Sequence, residues 1–452
     1  MATAVCAWLR RRGVRVAPFK AQNMSNHSYP CRSGGEIGRA QVAQAAACGL
    51  DPEPAMNPIL LKPNANGTSQ VILNGRVWRT LPARGYYEHF DELLTHVLAA
   101  YHDLAARFDV VVIEGAGSVS ELNLRSHDLV NLPLATRIGA PWVLVADIER
   151  GGVFGSVLGT LSLLTRAERA LCRGFMVNRF RGDLTLFGEG RRMLEERAGA
   201  PCLGVFPYAE GLRLDAEDSL AVEHEPAVPA PRDASIAILR FPRISNATDF
   251  RLLRWAEWLV APSGRTFDFV ILPGTKDTLA DLAWMRERGL DVWLRGQREA
   301  GAAVVGICGG FQMMGDTIRD PAALDGAGGA VRGLGLVRAD TVMGGEKTTR
   351  VREAVTPDGI AFSGYEIHLG RTTLRQRYTP FATLEDGVTD GVIADRLVGT
   401  YLHGALEHPQ VCAALFGIEP PSDDSPDSRY AALADWFEQY AEGPENWLPR
   451  CT

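Results

Sequence analysis

A chain of 452 residues is too long for a single hydrophobic core and predicts two or three domains. Its 46% hydrophobic and 22% charged residues are ordinary globular values, and a net charge of −7 without a basic stripe argues against nucleic-acid binding. The eight cysteines form no Cys-x-x-Cys or Cys/His metal cluster, which points to a reducing cytoplasm, and no apolar run approaches the roughly 20 residues that span a bilayer.

In Met1 to Val16 arginines follow a short apolar stretch, the reverse of a signal-peptide order. The earliest strand ends in Pro18-Phe19-Lys20-Ala21-Gln22-Asn23-Met24, where Lys20 is placed to meet a phosphoryl group. Leu94, Val97, Leu98, Tyr101 and Leu104 fall at helical spacing, and His89, His96 and His102 in that region read as solvated or packed. A strand over Phe108 to Ile113 runs into Glu114-Gly115-Ala116-Gly117, a carboxylate beside flexible backbone suited to holding magnesium near phosphate. Further strands are expected over Trp142 to Ile148, Gly174 to Phe180 and Cys202 to Phe206, apolar on both faces as in a buried parallel sheet. Asp147 repeats the acidic theme at the first of these ends, and Asn178 offers an amide to a purine edge at the second. Each loop alone suits an ordinary turn equally well, but four at strand ends in one domain point to a ligand site.

Residues 223–233 are proline-rich, polar and aperiodic, the composition of a linker. They divide a domain over 1–222 from one over 234–415, with a tail over 416–452 whose Leu433, Trp436 and Tyr440 lie at helical spacing. The second domain opens with the strand Ser235 to Phe241 and alternates strands and helices, predicting a mainly parallel sheet covered by helices. A strand over Phe267 to Leu272 leads into a Gly274 loop whose backbone N–H groups could hold an oxyanion. The apolar run from Ala302 to Val305 then meets Gly306-Ile307-Cys308-Gly309-Gly310-Phe311-Gln312, the pattern of a strand turning sharply into a helix with cysteine at the apex. There the nucleophile is exposed in the positive field of a helix N-terminus, which favours the thiolate. A base is expected at His403, which closes the strand Leu397 to Leu402, whereas His408 reads as a loop residue.

The pair Cys308 and His403 resembles the catalytic dyad of class I glutamine amidotransferases, in which cysteine attacks the glutamine amide and histidine protonates the departing ammonia. Many of these enzymes place glutamate two residues after the histidine. Ala405 stands there in this chain and Glu407 is wrongly spaced, so a dyad without an acid is expected, with His403 held by backbone or Tyr401.

Further motifs widen the resemblance to the whole of residues 3–415: Pro18 to Ser25, Gly34-Gly35-Glu36-Ile37-Gly38-Arg39-Ala40-Gln41, Asn57 to Pro63, Glu114 to Ser118, Arg150 to Phe154 and Val177 to Asp183. Together they resemble the cobyric acid synthase family. The resemblance implies an α/β fold, a dethiobiotin-synthetase-like P-loop NTPase-type parallel sheet followed by a class I glutamine amidotransferase-like domain. It also implies glutamine- and ATP-dependent amidation of adenosylcobyrinic acid a,c-diamide, with ATP and Mg2+ required. Lys20, Asn178, Glu114 and Gly115 would then serve the nucleotide, Glu114 and Asp147 the magnesium, and Asn23, Glu36, Arg39, Gln41, Gly274 and Gln312 the substrates. The family opens with a strand and a phosphate loop ending in Gly-Lys-Ser/Thr, and this sequence has neither. Thr3 to Gly13 matches the helix that follows, so roughly 15–20 residues of the nucleotide site are expected to be missing, with triphosphate binding weakened and the chain a fragment of an active enzyme. Two alternatives stay open: a cobyrinate a,c-diamide synthase-like enzyme, and a nucleotide-defective corrin- or partner-binding homologue.

Overall fold

The computed structural model describes residues 1–64, 67–209, 212, 234–325, 328–419 and 426–443. The expected linker at 223–233 lies outside the described residues. Short valine-rich runs pair as their two-sided apolarity requires: Val16–Phe19 lies parallel to Val110–Ile113, and Cys172–Phe180 lies parallel between Trp142–Asp147 and Cys202–Pro207. These five strands form two sheets, of two and three strands. A four-stranded sheet of Gln22–Met24, Ile59–Pro63, Thr68–Leu73 and Arg76–Pro82 joins them, antiparallel beyond its first pair. Its outermost strand is largely exposed, so it lacks the continuous apolar run from which a strand is recognised.

In the C-terminal half a six-stranded sheet runs in the order Glu257–Leu259, Ile236–Leu239, Phe269–Leu272, Ala303–Ile307, Leu397–Thr400, Val392–Ala394, parallel except for the last strand. Its core gathers Ile238, Val270, Ile271, Val304 and Leu282, all at 0% exposure. A long antiparallel hairpin, Ala339–Val355 with Ala361–Leu374, rises beside it and crosses to the N-terminal half. The tail helix, Pro426–Tyr440, docks on the N-terminal half: Phe437 packs edge-on against Trp8, and Arg12 meets Glu438 at 2.9 Å.

Candidate active site

The strand Ala303–Ile307 stops at Cys308, and the helix Gly309–Met314 starts at the next residue. Cys308 takes φ +50° and ψ −109°, a strained conformation for a non-glycine residue and the mark of a nucleophile elbow. Its N–H donates to the Thr400 carbonyl at 2.8 Å, and its carbonyl accepts from the Gln312 N–H at 3.0 Å. The flanking glycine at 310 is sterically required, since a Cβ there would lie 1.9 Å from the Leu272 carbonyl oxygen.

His403 follows the neighbouring strand, is 1% exposed, and lies within hydrogen-bonding reach of the Cys308 side chain. Gly274 is where expected at the end of Phe269–Leu272, and its lack of a side chain makes room for the imidazole: a Cβ would sit 2.6 Å from the His403 ring. A Cβ on Gly309 would meet the Thr275 backbone nitrogen at 3.1 Å, so the Gly274–Thr275 loop and the helix N-terminus converge beside the sulfur, as an oxyanion hole needs.

The expectation of a dyad without an acid is corrected by the structure. His403 Nδ1 lies 2.7 Å from Asp249 Oδ2, and the other oxygen of Asp249 accepts the Gly404 N–H at 2.7 Å. Asp249 is fully buried in the short turn Ala247–Phe250. Tyr401 does not hold His403. Its hydroxyl bonds Thr372 and Gln312 and its ring stacks on His368, while His403 stacks on Tyr365. Burial opposes protonation of His403, but the charge and hydrogen bond of Asp249, helped by Cys308, raise its pKa to about 10. At neutral pH the imidazole therefore carries the proton that a departing amine needs. Glu407, as expected, plays no part in this relay and instead takes the Arg39 guanidinium at 2.7 Å and Arg251 at 3.3 Å.

His368 is a second site residue that sequence reasoning missed. It lines the Cys308 pocket, with Nδ1 2.8 Å from the Gly370 carbonyl and Nε2 3.2 Å from Glu366. Glu366 and His368 alternate along one strand, a spacing that could have marked them. Gln312 also lines the pocket, its amide held by Thr278 and Tyr401.

The residues Asn23, Glu36, Arg39 and Gln41 do not form an open substrate surface, contrary to expectation. Asn23 bonds Gln41 at 3.0 Å, both within the fold, and Arg39 is committed to Glu407. Glu36 is 1% exposed and bonds Lys62 at 2.6 Å, Ser28 at 2.9 Å and Lys347 of the C-terminal half. Burial alone would raise the pKa of Glu36, yet the two lysines hold it well below the carboxylate range, while burial pulls Lys62 down to about 7. Glu36 and Arg39 are buried where the two halves meet, through Lys347 and Glu407.

The same seam reaches the relay. The Ser28 N–H donates to Asn246 at 2.9 Å, and the Ala247 N–H, in the turn that carries Asp249, donates to His27 Nδ1 at 3.3 Å. An accepting Nδ1 requires neutral His27, and burial, reinforced by Arg39 and Lys62, lowers its pKa to about 4. The unfolded chain binds this proton near pH 6.5 and the folded chain only near 4, so stability falls as pH drops through that window, by about 3 kcal/mol. In urea melts, His27→Asn is expected to show a shallower loss of stability between pH 6.5 and 4 than wild type. Identical slopes would remove His27 from that limb.

Lys20 and Glu114 come together as the paired strands require, with Nζ 3.4 Å from Oε1, and Gln44 donates to the other oxygen of Glu114. The Gly115 loop is clamped by Asn131, which accepts the Ala116 N–H at 3.1 Å and donates to its carbonyl at 2.7 Å. Asp147 and Asn178 are register partners in the other parallel sheet. Glu114 bonds Lys20 and Gln44, and Asp147 bonds Arg179 at 3.2 Å and accepts the Glu149 N–H at 2.8 Å.

Residues 1–221 match the family described as the CobQ/CobB/MinD/ParA nucleotide binding domain, and residues 235–411 match the CobB/CobQ-like glutamine amidotransferase domain. The pair of domains fits the CobQ/CbiA family. The protein is a glutamine-hydrolysing enzyme with an α/β fold, joining a nucleotide-binding domain to a glutamine amidotransferase domain. Among solved structures it is similar to a glutamine amidotransferase at 15% identity and a TM-score of 0.30, covering 44% of this chain and 98% of that one. It is also similar to PurLQS from Thermotoga maritima at 14% identity and a TM-score of 0.29, covering 45% and 99%. No described helix is long and apolar enough to cross a membrane.

Proposed function

We propose that the chain hydrolyses glutamine at Cys308 and delivers the ammonia to the b, d, e and g carboxylates of adenosylcobyrinic acid a,c-diamide in an ATP-dependent amidation. The observation that carries the glutaminase step is the buried line Cys308–His403–Asp249 at the strand ends. The thiolate attacks the glutamine amide carbon, the C–N bond breaks, and ammonia leaves with the proton of His403. Water then attacks the thioester and gives a proton back to His403, releasing glutamate and restoring the thiolate.

A carboxylate resists ammonia until it is phosphorylated, so the nucleotide-binding half supplies the acyl phosphate. Ammonia displaces its phosphate to form the amide. Lys20, beside Glu114 at the paired strand ends, is the group assigned to the phosphoryl oxygens, and Asn178 is assigned to the adenine. The corrin substrate rests on the resemblance, which the Lys20 to Ser25 and Glu36 to Gln41 segments carry, and not on an open contact surface at those residues.

Mass spectrometry of the corrin after incubation with ATP, magnesium and glutamine tests this reading. Amides are expected at peripheral positions beyond a and c. Amidation confined to the a and c carboxylates of cobyrinic acid would sink the substrate assignment. Glu114→Gln, which loosens Lys20, is expected to cut the amidation about 10- to 100-fold while glutamine hydrolysis stays measurable. Undiminished amidation would remove Glu114 from the site.

A further inference from the structure

The pocket above Cys308 is not built by the amidotransferase half alone. Asn26, Ser28, Lys62 and Gln70 of the nucleotide-binding half line it, opposite Lys276 and Lys347. Gln70 is 5% exposed, and its Oε1 has no hydrogen-bond partner among the described residues. The buried Asn26 Oδ1 is likewise without a partner there. An unmet buried acceptor costs stability, so two on one pocket wall call for a ligand with N–H donors. Lysines accompany them: Lys62 and Lys347 share Glu36, and Lys276 stands 3.9 Å from Asp325. Burial raises the pKa of Asp325 to about 7 and lowers that of Lys276, so a further anion beside Lys276 would stabilise its ammonium form. A site that pairs free acceptors with undercompensated ammonium groups matches a zwitterion, the head group of an α-amino acid.

We infer that both halves read the head group of glutamine, Gln70 and Asn26 of the nucleotide-binding half accepting from its α-ammonium while Lys276 and Lys347 of the amidotransferase half meet its α-carboxylate. The inference rests on the reading of Cys308 as the glutaminase nucleophile. The glutamine site is then complete only when the two halves are docked, and the wall that reads the α-ammonium belongs to the half that consumes the ammonia.

The test compares kcat/KM for glutamine with that for 4-carbamoylbutanoate, glutamine without its α-amino group, in the full chain. Wild type is expected to prefer glutamine by about 10- to 100-fold, the weight of a hydrogen-bonded charge. Gln70→Leu removes an acceptor that has no partner among the described residues, and the preference is expected to shrink toward one. Gln70→Glu keeps the shape and adds charge, and the preference is expected to widen. A preference unchanged in both variants would overturn the inference and leave Gln70 as a contact for departing ammonia. A misfolded leucine variant leaves the glutamate variant to decide. Hydrolysis of glutamine that persists in Cys308→Ala would instead refute the underlying nucleophile assignment.

Discussion

Replacing Cys308 by alanine is expected to abolish glutamine hydrolysis and glutamine-dependent amidation while sparing any amidation driven by added ammonia. The thiol is the only group at the elbow apex that can form the thioester, and no other described cysteine lines the pocket. Its removal eliminates the covalent route rather than slowing it. The elbow and the helix Gly309–Met314 are held by the Cys308 N–H to Thr400, the Leu334 N–H to the Met313 carbonyl and the close approach of Gly310 to Leu272, none of which involves the sulfur, so the variant is expected to fold. Glutamate release at the wild-type rate would show that Cys308 is not the nucleophile.

Asp249→Asn is expected to lower glutamine hydrolysis by about 10²–10⁴-fold, the range for proton transfer by a positioned histidine. The carboxylate acts in two ways. It accepts the Nδ1–H hydrogen bond and so directs Nε2 to the reacting centre, and its charge sustains a His403 pKa of about 10 against the cost of burial. An amide keeps the shape, loses the charge and offers a single oxygen to the two N–H groups that Asp249 accepts. The sign of the pH effect follows: without Asp249 the protonated imidazole is lost at lower pH, so the alkaline limb of kcat/KM moves downward in pH. A merely structural role would reduce the rate without moving that limb. Glu407→Gln should leave the limb where it is, because Glu407 faces Arg39 and Arg251.

The elbow was legible because everything it needs is local. A strand, an apex cysteine and close-approach glycines lie within a dozen residues, and the backbone conformation follows from them. His403 was legible as well, since the end of a buried strand can be read from its apolar run. Lys20 and Glu114 could be paired in advance only in the sense that both end strands; the parallel register that sets them side by side is a tertiary fact. The long hairpin was not foreseen, because charged residues such as Glu346, Lys347 and Arg350 interrupt its alternation, and its buried residues Ala339, Met343, Ala354 and Phe362 pack against distant segments of the C-terminal half.

Asp249 shows where sequence reasoning ended. It stands 154 positions before His403 in an unremarkable Ala-Thr-Asp-Phe turn, far from the histidine's own segment, where Ala405 occupies the usual position of the acid. The motif from Glu36 to Gln41 shows the converse. Its residue types were conspicuous and invited a substrate role, yet their partners Lys347 and Glu407 lie more than three hundred positions away. By itself the sequence determined the local devices: the strained nucleophile, the strand-end loops and the two α/β halves. Only the tertiary structure decided which charges are compensated and which are left facing the pocket. A charge's partner depends on distance in space, and the chain brings remote segments together through packing that no local pattern encodes.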